Sequence, residues 1–352
     1  MKGKVLYFTV MPSPFQLEFI DYINSNSAWY EYVPIFMYDI KDYRSTWRSA
    51  EGCNRIVLND GSRVGFYKKL FTIIKETSPD RIILTQYNSL YTLAIILYSI
   101  KHDIDFYFGP IENMRNGNYF LDALKKKYFT FVTRRAKALF VIGSRAVKFY
   151  KKIYNGPVMN VPYTFDLSNL SQPRNNNKAI TFLYSGRLVP FRNPLLAIEC
   201  FSEVEKIHKN IRLILSGKGE LKGECDKLIK DLNLTQKIKW RNDFTDWNDI
   251  HKNLYCQADV LLALQKWSTW GLIIQEAMAA GLGVIATNTM DSANELIIDE
   301  YNGFIVSLDK DQIVYKMKQY IENQDLLKRF VPGMVKIENG KYLEKERLSV
   351  LD

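Results

Sequence analysis

Short apolar runs of strand length alternate with longer runs of helical periodicity along this 352-residue chain, and the alternation occurs twice. Parallel strands cannot be joined by a tight turn; each pair needs a crossover, usually a helix. The pattern therefore predicts an α/β fold with parallel sheets. In the first series the expected strands are Val5–Val10, Arg81–Leu84, Asp105–Phe108 and Leu139–Ile142. Helices fit between them, as at Gln16–Asn24 and Ser89–Ile100. A polar stretch, Ser168–Lys178, carries Pro173 and the run Asn175–Asn177 and reads as a linker. The second series runs Ile180–Tyr184, Leu195–Ile207, Ile211–Ser216, Val260–Leu264, Leu272–Ala280 and Val284–Thr287. The expected layout is an N-terminal domain over 1–167, a linker over 168–178, a second domain over 179–330 and a tail over 331–352 that packs back on the first domain. Two Rossmann-like domains would then face each other across a cleft, with ligands outside the carboxyl ends of the strands.

Composition fits a globular chain: 47% apolar and 24% charged residues. The longest apolar run, Leu90–Ile100, includes Thr92 and Ser99 and is too short to span a bilayer. Lys2 and Lys4 precede an apolar stretch, as in a signal peptide, but the stretch stops at Pro12 with no small-residue cleavage site. It reads as a first strand. Cys53, Cys200, Cys225 and Cys256 form no C-x-x-C pair and suit reduced, structural roles in a cytoplasmic protein. His102, His208 and His251 read as surface residues.

Three segments carry the chemistry. Ser185-Gly186-Arg187-Leu188 directly follows a strand, and Arg192 lies five residues beyond Arg187. Guanidinium groups suit bidentate contacts to phosphate oxygens, although a solvated surface pair is the bland alternative. Gly217-Lys218-Gly219 follows the strand Ile211–Ser216; alone, a G-x-G is a weak signal that an ordinary turn explains equally well. The strongest segment runs from Trp270 to Gly281, with Gly271 opening a helix and Gly281 closing it. A helix N-terminus offers unpaired N–H groups and partial positive charge, so it suits a diphosphate. Glu276, in the second turn, is placed to accept hydrogen bonds from ribose hydroxyls. An amphipathic helix with an exposed glutamate is the plainer reading, and the recurrence of phosphate-suited features at successive strand ends argues against it.

These pieces, with Tyr255-Cys256-Gln257-Ala258-Asp259-Val260, Glu295-Leu296-Ile297 and Asn302-Gly303-Phe304, occur in the order found in the retaining glycosyltransferases of family 4, which the segment Ile180–Val306 resembles. The first half resembles them only in strand pattern. The resemblance implies a GT-B fold and transfer from a nucleoside-diphosphate sugar, UDP favoured over GDP. Arg187 and Arg192 would hold the diphosphate, joined by Gly186, Gly217, Gly219 and the N–H groups of Gly271 and Leu272. Glu276 would bind the ribose, and the stretch from Trp240 to Phe244 the base. Ser268 and Trp270 would border the donor. No cofactor or metal is expected, because arginines and the helix N-terminus neutralise the diphosphate. Asp103-Ile104-Asp105 imitates a metal-binding D-x-D but reads as the start of a strand. Pro12, Ser13, Phe15, Tyr87, Glu112 and Arg115 are the candidates for the acceptor side. The chain departs from the family at Arg192, where a lysine is usual, at Ser268, where a glutamate usually reaches the sugar, and at Gly283, which replaces a common proline. It also has no glycines in the loop Met11–Phe15 and no histidine near Tyr87 or Gly109.

Charge is concentrated. Between Arg115 and Lys152 stand eleven basic residues against the one acid Asp122, a net of +10 that equals the excess of the whole chain. Leu121, Leu124, Tyr128 and Phe131 recur there at helical spacing. A core-facing helix with a solvated basic face explains this. With Tyr119, Phe120 and Phe129, so does a peripheral contact with an anionic membrane. Nucleic acid is not expected, since no recognition motif accompanies the charge. The expected function is sugar transfer to a hydroxyl of a glycan or lipid-linked glycan in cell-surface polysaccharide synthesis, at the cytoplasmic membrane face. The alternatives are a nucleotide-sugar-binding or membrane-associated protein without catalysis, and a sugar-nucleotide epimerase or phosphorylase of the same fold.

Overall fold

The computed structural model describes residues 2–39, 56–58, 63–111, 119–161, 179–244, 249, 253–268 and 270–327. The expected linker, the tail, Glu112, Arg115, Cys53 and His251 lie outside the described residues. The chain divides into two compact units that meet in sequence between Asp166 and Leu167.

The first unit holds strands β1 (Gly3–Thr9), β2 (Tyr30–Phe36), β3 (Ile56–Val57), β4 (Arg81–Leu84), β5 (Asp105–Ile111), β6 (Leu139–Val141) and β7 (Val158–Asn160). They form one parallel sheet in the order β3-β2-β1-β4-β5-β6-β7. Its helices are α1 (Pro14–Asn26), α2 (Arg63–Thr77), α3 (Leu90–Lys101), α4 (Tyr119–Thr133) and α5 (Ser144–Tyr150). The pleat of β1 divides its side chains between two cores. Leu6 and Phe8 pack with α2 to α5, while Val5 and Tyr7 pack with Phe19, Ile20 and Ile23 of α1. Ser89 caps α3 rather than starting it; its hydroxyl accepts from the Thr92 N–H at 3.3 Å.

The second unit holds β8 (Ile180–Ser185), β9 (Ile211–Ser216), β10 (Ile238–Trp240), β11 (Val260–Ala263), β12 (Gly283–Thr287) and β13 (Phe304–Val306), all parallel, in the order β10-β9-β8-β11-β12-β13. Its helices are α6 (Pro194–Glu205), α7 (Lys222–Asp231), α8 (Leu272–Ala279), α9 (Asp291–Leu296) and α10 (Lys310–Glu322). Every residue of β11 and β12 is buried, which explains why these strands read as unbroken apolar runs rather than alternating ones.

In each sheet two neighbouring strands send the chain off in opposite directions: β1 and β4 in the first, β8 and β11 in the second. Such switch points open a crevice at the carboxyl ends of the strands, where ligands of this fold class bind. The loops after β1 and β4 hold Pro12, Ser13 and Tyr87, and Phe15 lies in the first turn of α1. The loops after β8 and β11 hold Gly186, Arg187, Ser268 and Trp270.

The α4 segment differs from the core-facing expectation. Leu124, Tyr128 and Phe131 are exposed, at 50%, 37% and 68%, while Phe129 and Val132 turn inward. Phe129 meets the rings of Tyr87 and Tyr150 at 5.0 Å each, so it belongs to the core and not to a membrane-facing surface. Asp103 is in a left-handed turn, and Asp105 opens β5 and pairs with Lys137 at 3.1 Å, as the plain reading of that D-x-D expects.

Candidate active site

The loops after β8 and β9 are bonded to each other beyond the ends of their strands. Gly186 N–H donates to Ser216 O, Leu188 N–H to Lys218 O, and Leu221 N–H to Leu188 O, at 2.9 to 3.0 Å. This close backbone approach is what the glycines serve. A Cβ on Gly217 would lie 1.8 Å from Gly186 O, and one on Gly219 would lie 2.4 Å from Leu188 O. The G-x-G is therefore a packing device that shapes the Gly186–Arg187 turn, besides bordering the crevice. Asn242, after β10, fixes the same turn by accepting from Gly217 N–H at 2.6 Å.

The turn presents two cations. Arg187 is exposed and Arg192 is half-buried, and their guanidinium groups lie 5.9 and 5.8 Å from the centre of the Phe191 ring. Neither makes an ion pair among the described residues, and Nε of Arg192 is buried without a hydrogen-bond partner. Burial lowers the Arg192 pKa; Tyr184 opposes this in part, and the like charge of Arg187 adds a smaller lowering. Burial likewise raises the Tyr184 phenol, which keeps it protonated. Two adjacent cations without a counter-ion make a site that favours an anion.

The β8 and β11 loops are tied together. Asn193, in the left-handed region at φ 52°, donates through Nδ2 to Leu264 O at 2.7 Å. Lys266 N–H donates to Phe191 O at 2.7 Å, and the Phe191 and Trp267 rings stack at 4.6 Å. Gly271, whose φ of 94° favours glycine, is the N-cap of helix α8 and brings no side chain to its first turn. Trp270 is buried, and its carbonyl accepts from the Ser292 hydroxyl at 2.6 Å. Ser268 is half-buried and joined through its N–H to Thr289 O at 3.2 Å. Its Oγ would lie 3.2 Å from a Cβ on Gly271, so it stands beside the start of α8.

Glu276 is only 5% exposed and accepts a short hydrogen bond from the hydroxyl of Tyr255. The solvated-glutamate alternative is thereby excluded. Phe244 is half-buried after β10, with the Arg241 guanidinium 5.3 Å from its ring centre. Arg241 in turn holds Gln257 and Asp243. Of the residues expected for the acceptor, Pro12 and Ser13 are buried and Phe15 and Tyr87 half-buried. Sequence reasoning missed Phe191, Asn193 and Trp267, and it named Asn242 and Tyr255 only as parts of longer segments, without these contacts. Asn193 carried a signal, an Asn before Pro at a helix start, and Asn242 followed a strand; the others act through contacts distant in sequence.

Residues 168–333 match the family described as Glycosyl transferases group 1. The chain is 24% identical over 262 residues to "Uncharacterized glycosyltransferase MJ1059" of Methanocaldococcus jannaschii, covering 66% of this chain and 62% of that protein. It is 26% identical over 169 residues to the N-acetylgalactosamine-N,N'-diacetylbacillosaminyl-diphospho-undecaprenol 4-alpha-N-acetylgalactosaminyltransferase of Campylobacter jejuni, covering 47% of this chain and 44% of that one. The chain thus spans about half to three fifths of the length of these curated relatives. Among solved structures, that of Anabaena Alr3699/HepE in complex with UDP superposes with a TM-score of 0.80 at 14% identity, covering 100% of this chain and 98% of that one. Over residues 168–333 the chain is thus similar to the group 1 glycosyl transferases, and as a whole it has the GT-B fold, two parallel-sheet α/β domains.

Proposed function

We propose that this protein is a retaining glycosyltransferase of family 4 that moves a sugar from a UDP-sugar to a hydroxyl of a glycan or lipid-linked glycan. The observation that carries the reading is the unpaired couple Arg187 and Arg192 at the switch point where the uncapped α8 begins and Glu276 is buried. The Anabaena structure holds UDP, and the Campylobacter relative is named for a diphospho-undecaprenol substrate. In the proposed reaction the acceptor oxygen bonds to the anomeric carbon on the face that the leaving group vacates. The bond from that carbon to the phosphate oxygen breaks, and the departing phosphate takes the acceptor's proton. Arg187, Arg192 and the α8 N–H groups stabilise the charge that grows on the diphosphate. Because these groups do the neutralising, transfer needs no metal. Pro12, Ser13, Phe15 and Tyr87, at the other switch point, receive the acceptor.

The same proposal places the protein on the cytoplasmic face of a membrane. The exposed Leu124, Tyr128 and Phe131 of α4 alternate with exposed Lys125, Lys127, Arg134 and Arg135, a surface suited to anionic lipid. No helix among the described residues is long and apolar enough to cross a membrane. Release of UDP from a panel of UDP-sugars on adding lipid-linked acceptor, with and without EDTA, tests the reading. Release that survives EDTA and is lost in Glu276→Ala is expected. Sugar-nucleotide binding with no release for any acceptor would identify a binding protein instead, and strict dependence on Mg²⁺ or Mn²⁺ would overturn the metal-free mechanism.

A further inference from the structure

Tyr255 belongs to none of the groups assigned above. It lies in the short 3-10 turn Tyr255–Gln257 that leads into β11, is 1% exposed, and gives its hydroxyl hydrogen to Oε2 of Glu276, 21 residues further on in α8. Burial first, and then the Glu276 charge, push the phenol well above its usual value, so Tyr255 remains the donor of this bond. The contact joins the element before β11 to the element after it, across the strand that borders the switch point. A glutamate side chain turns about three torsions, and each contact that holds it in one rotamer lowers the ordering a ligand must impose on binding.

We propose that Tyr255 is a positioning residue: its hydroxyl fixes the Glu276 carboxylate in the rotamer that meets the ribose hydroxyls of the donor nucleotide. The proposal rests on the ribose reading of Glu276. Tyr255 touches no substrate; it acts through Glu276, and its effect is confined to nucleotides that carry the ribose diol. Removing the hydroxyl leaves the ring in place and takes this one hydrogen bond from the carboxylate.

Calorimetric titration of wild type and Tyr255→Phe with UDP and with 2′,3′-dideoxy-UDP tests this. Wild type is expected to prefer UDP by about tenfold or more, as befits hydrogen bonds to a charged group. Tyr255→Phe should lose most of that preference while binding the dideoxy nucleotide as wild type does. Equal weakening of both nucleotides, or a preserved preference, would overturn the proposal. No preference in wild type would instead overturn the ribose role of Glu276. Should Tyr255→Phe fail to fold, 3,5-difluorotyrosine at position 255 keeps the shape and makes the hydroxyl a stronger donor. UDP affinity should then change while dideoxy-UDP affinity stays, and a change in neither would overturn the proposal.

Discussion

Arg192 keeps a half-buried guanidinium within reach of the Arg187 charge, and among the described residues no carboxylate pairs with either. Folding alone gives little return for such an arrangement, since desolvating a cation is unfavourable and a like charge adds to the cost. It would become favourable with an anion in the turn, as in the proposed diphosphate site. The apolar variant Arg192→Met should therefore separate the two effects. The unliganded protein should melt at the wild-type temperature or a few degrees above it, because a strained charge has been replaced by a side chain that packs. UDP affinity should fall by about tenfold or more, the worth of one charge-assisted contact. Scanning calorimetry with and without UDP reads both. A melting temperature well below wild type, with UDP affinity intact, would make Arg192 a structural residue of the loop.

At the level of elements, the second unit was the more legible. The strands Ile211–Ser216 and Arg81–Leu84 agree with β9 and β4 residue for residue, because apolar runs ended at a glycine or at a polar cluster. β2 was invisible: Pro34 interrupts it and Glu31 and Tyr30 blur its edge, yet it pairs with β1 along its whole length. The facing of α4 was not legible either. Both the Leu124–Tyr128–Phe131 row and the Phe129–Val132 row recur at helical spacing, and only the rings of Tyr87 and Tyr150 decide which goes inside. The candidate site was reached through its motifs, and Tyr255 and Asn242 lay within quoted segments, but their contacts with Glu276 and Gly217 span 21 and 25 residues and were not legible. The glycines connect element and site most directly. Gly217→Ala would force a Cβ to within 1.8 Å of Gly186 O at a φ of 145°, so the β8 and β9 loops must part. About 2 kcal/mol or more of stability should be lost, with UDP affinity falling because Arg187 moves with the turn. Gly223→Ala is the control: it lies in α7 with nothing within 4 Å of the added Cβ, and should be neutral or stabilising by up to about 1 kcal/mol. Equal melting of the two variants would mean that the loop contact contributes nothing.

For the whole molecule the electrostatics are lopsided in sequence. The net charge of +10 equals that of the segment from Arg115 to Lys152, and the rest of the chain balances. Attraction to an anionic surface should therefore depend on that segment, and within it on the side chains α4 exposes. Lys126 is a poor choice to remove, since it is half-buried with its ammonium 5.5 Å from the Phe149 ring centre. Lys125, Lys127 and Arg135 are exposed, and changing them together to glutamine leaves Leu124, Tyr128 and Phe131 in place. At about 1 kcal/mol per charge near the surface, the triple variant should lose up to ~3 kcal/mol, or about a hundredfold in affinity for anionic vesicles. Salt should weaken wild-type binding too, as the Debye length shrinks from ~10 Å at 0.1 M to ~3 Å at 1 M. Phe131→Ser should weaken binding by a different route, and its effect should persist at high salt because it removes apolar area rather than charge. UDP titration should be unchanged in both variants, since the residues proposed to bind the nucleotide lie in the other unit. Vesicle sedimentation with anionic and neutral lipid separates the contributions. If wild type and the triple variant sediment equally with anionic vesicles at low salt, the basic face of α4 is a solvated surface and the acceptor need not be presented by a membrane.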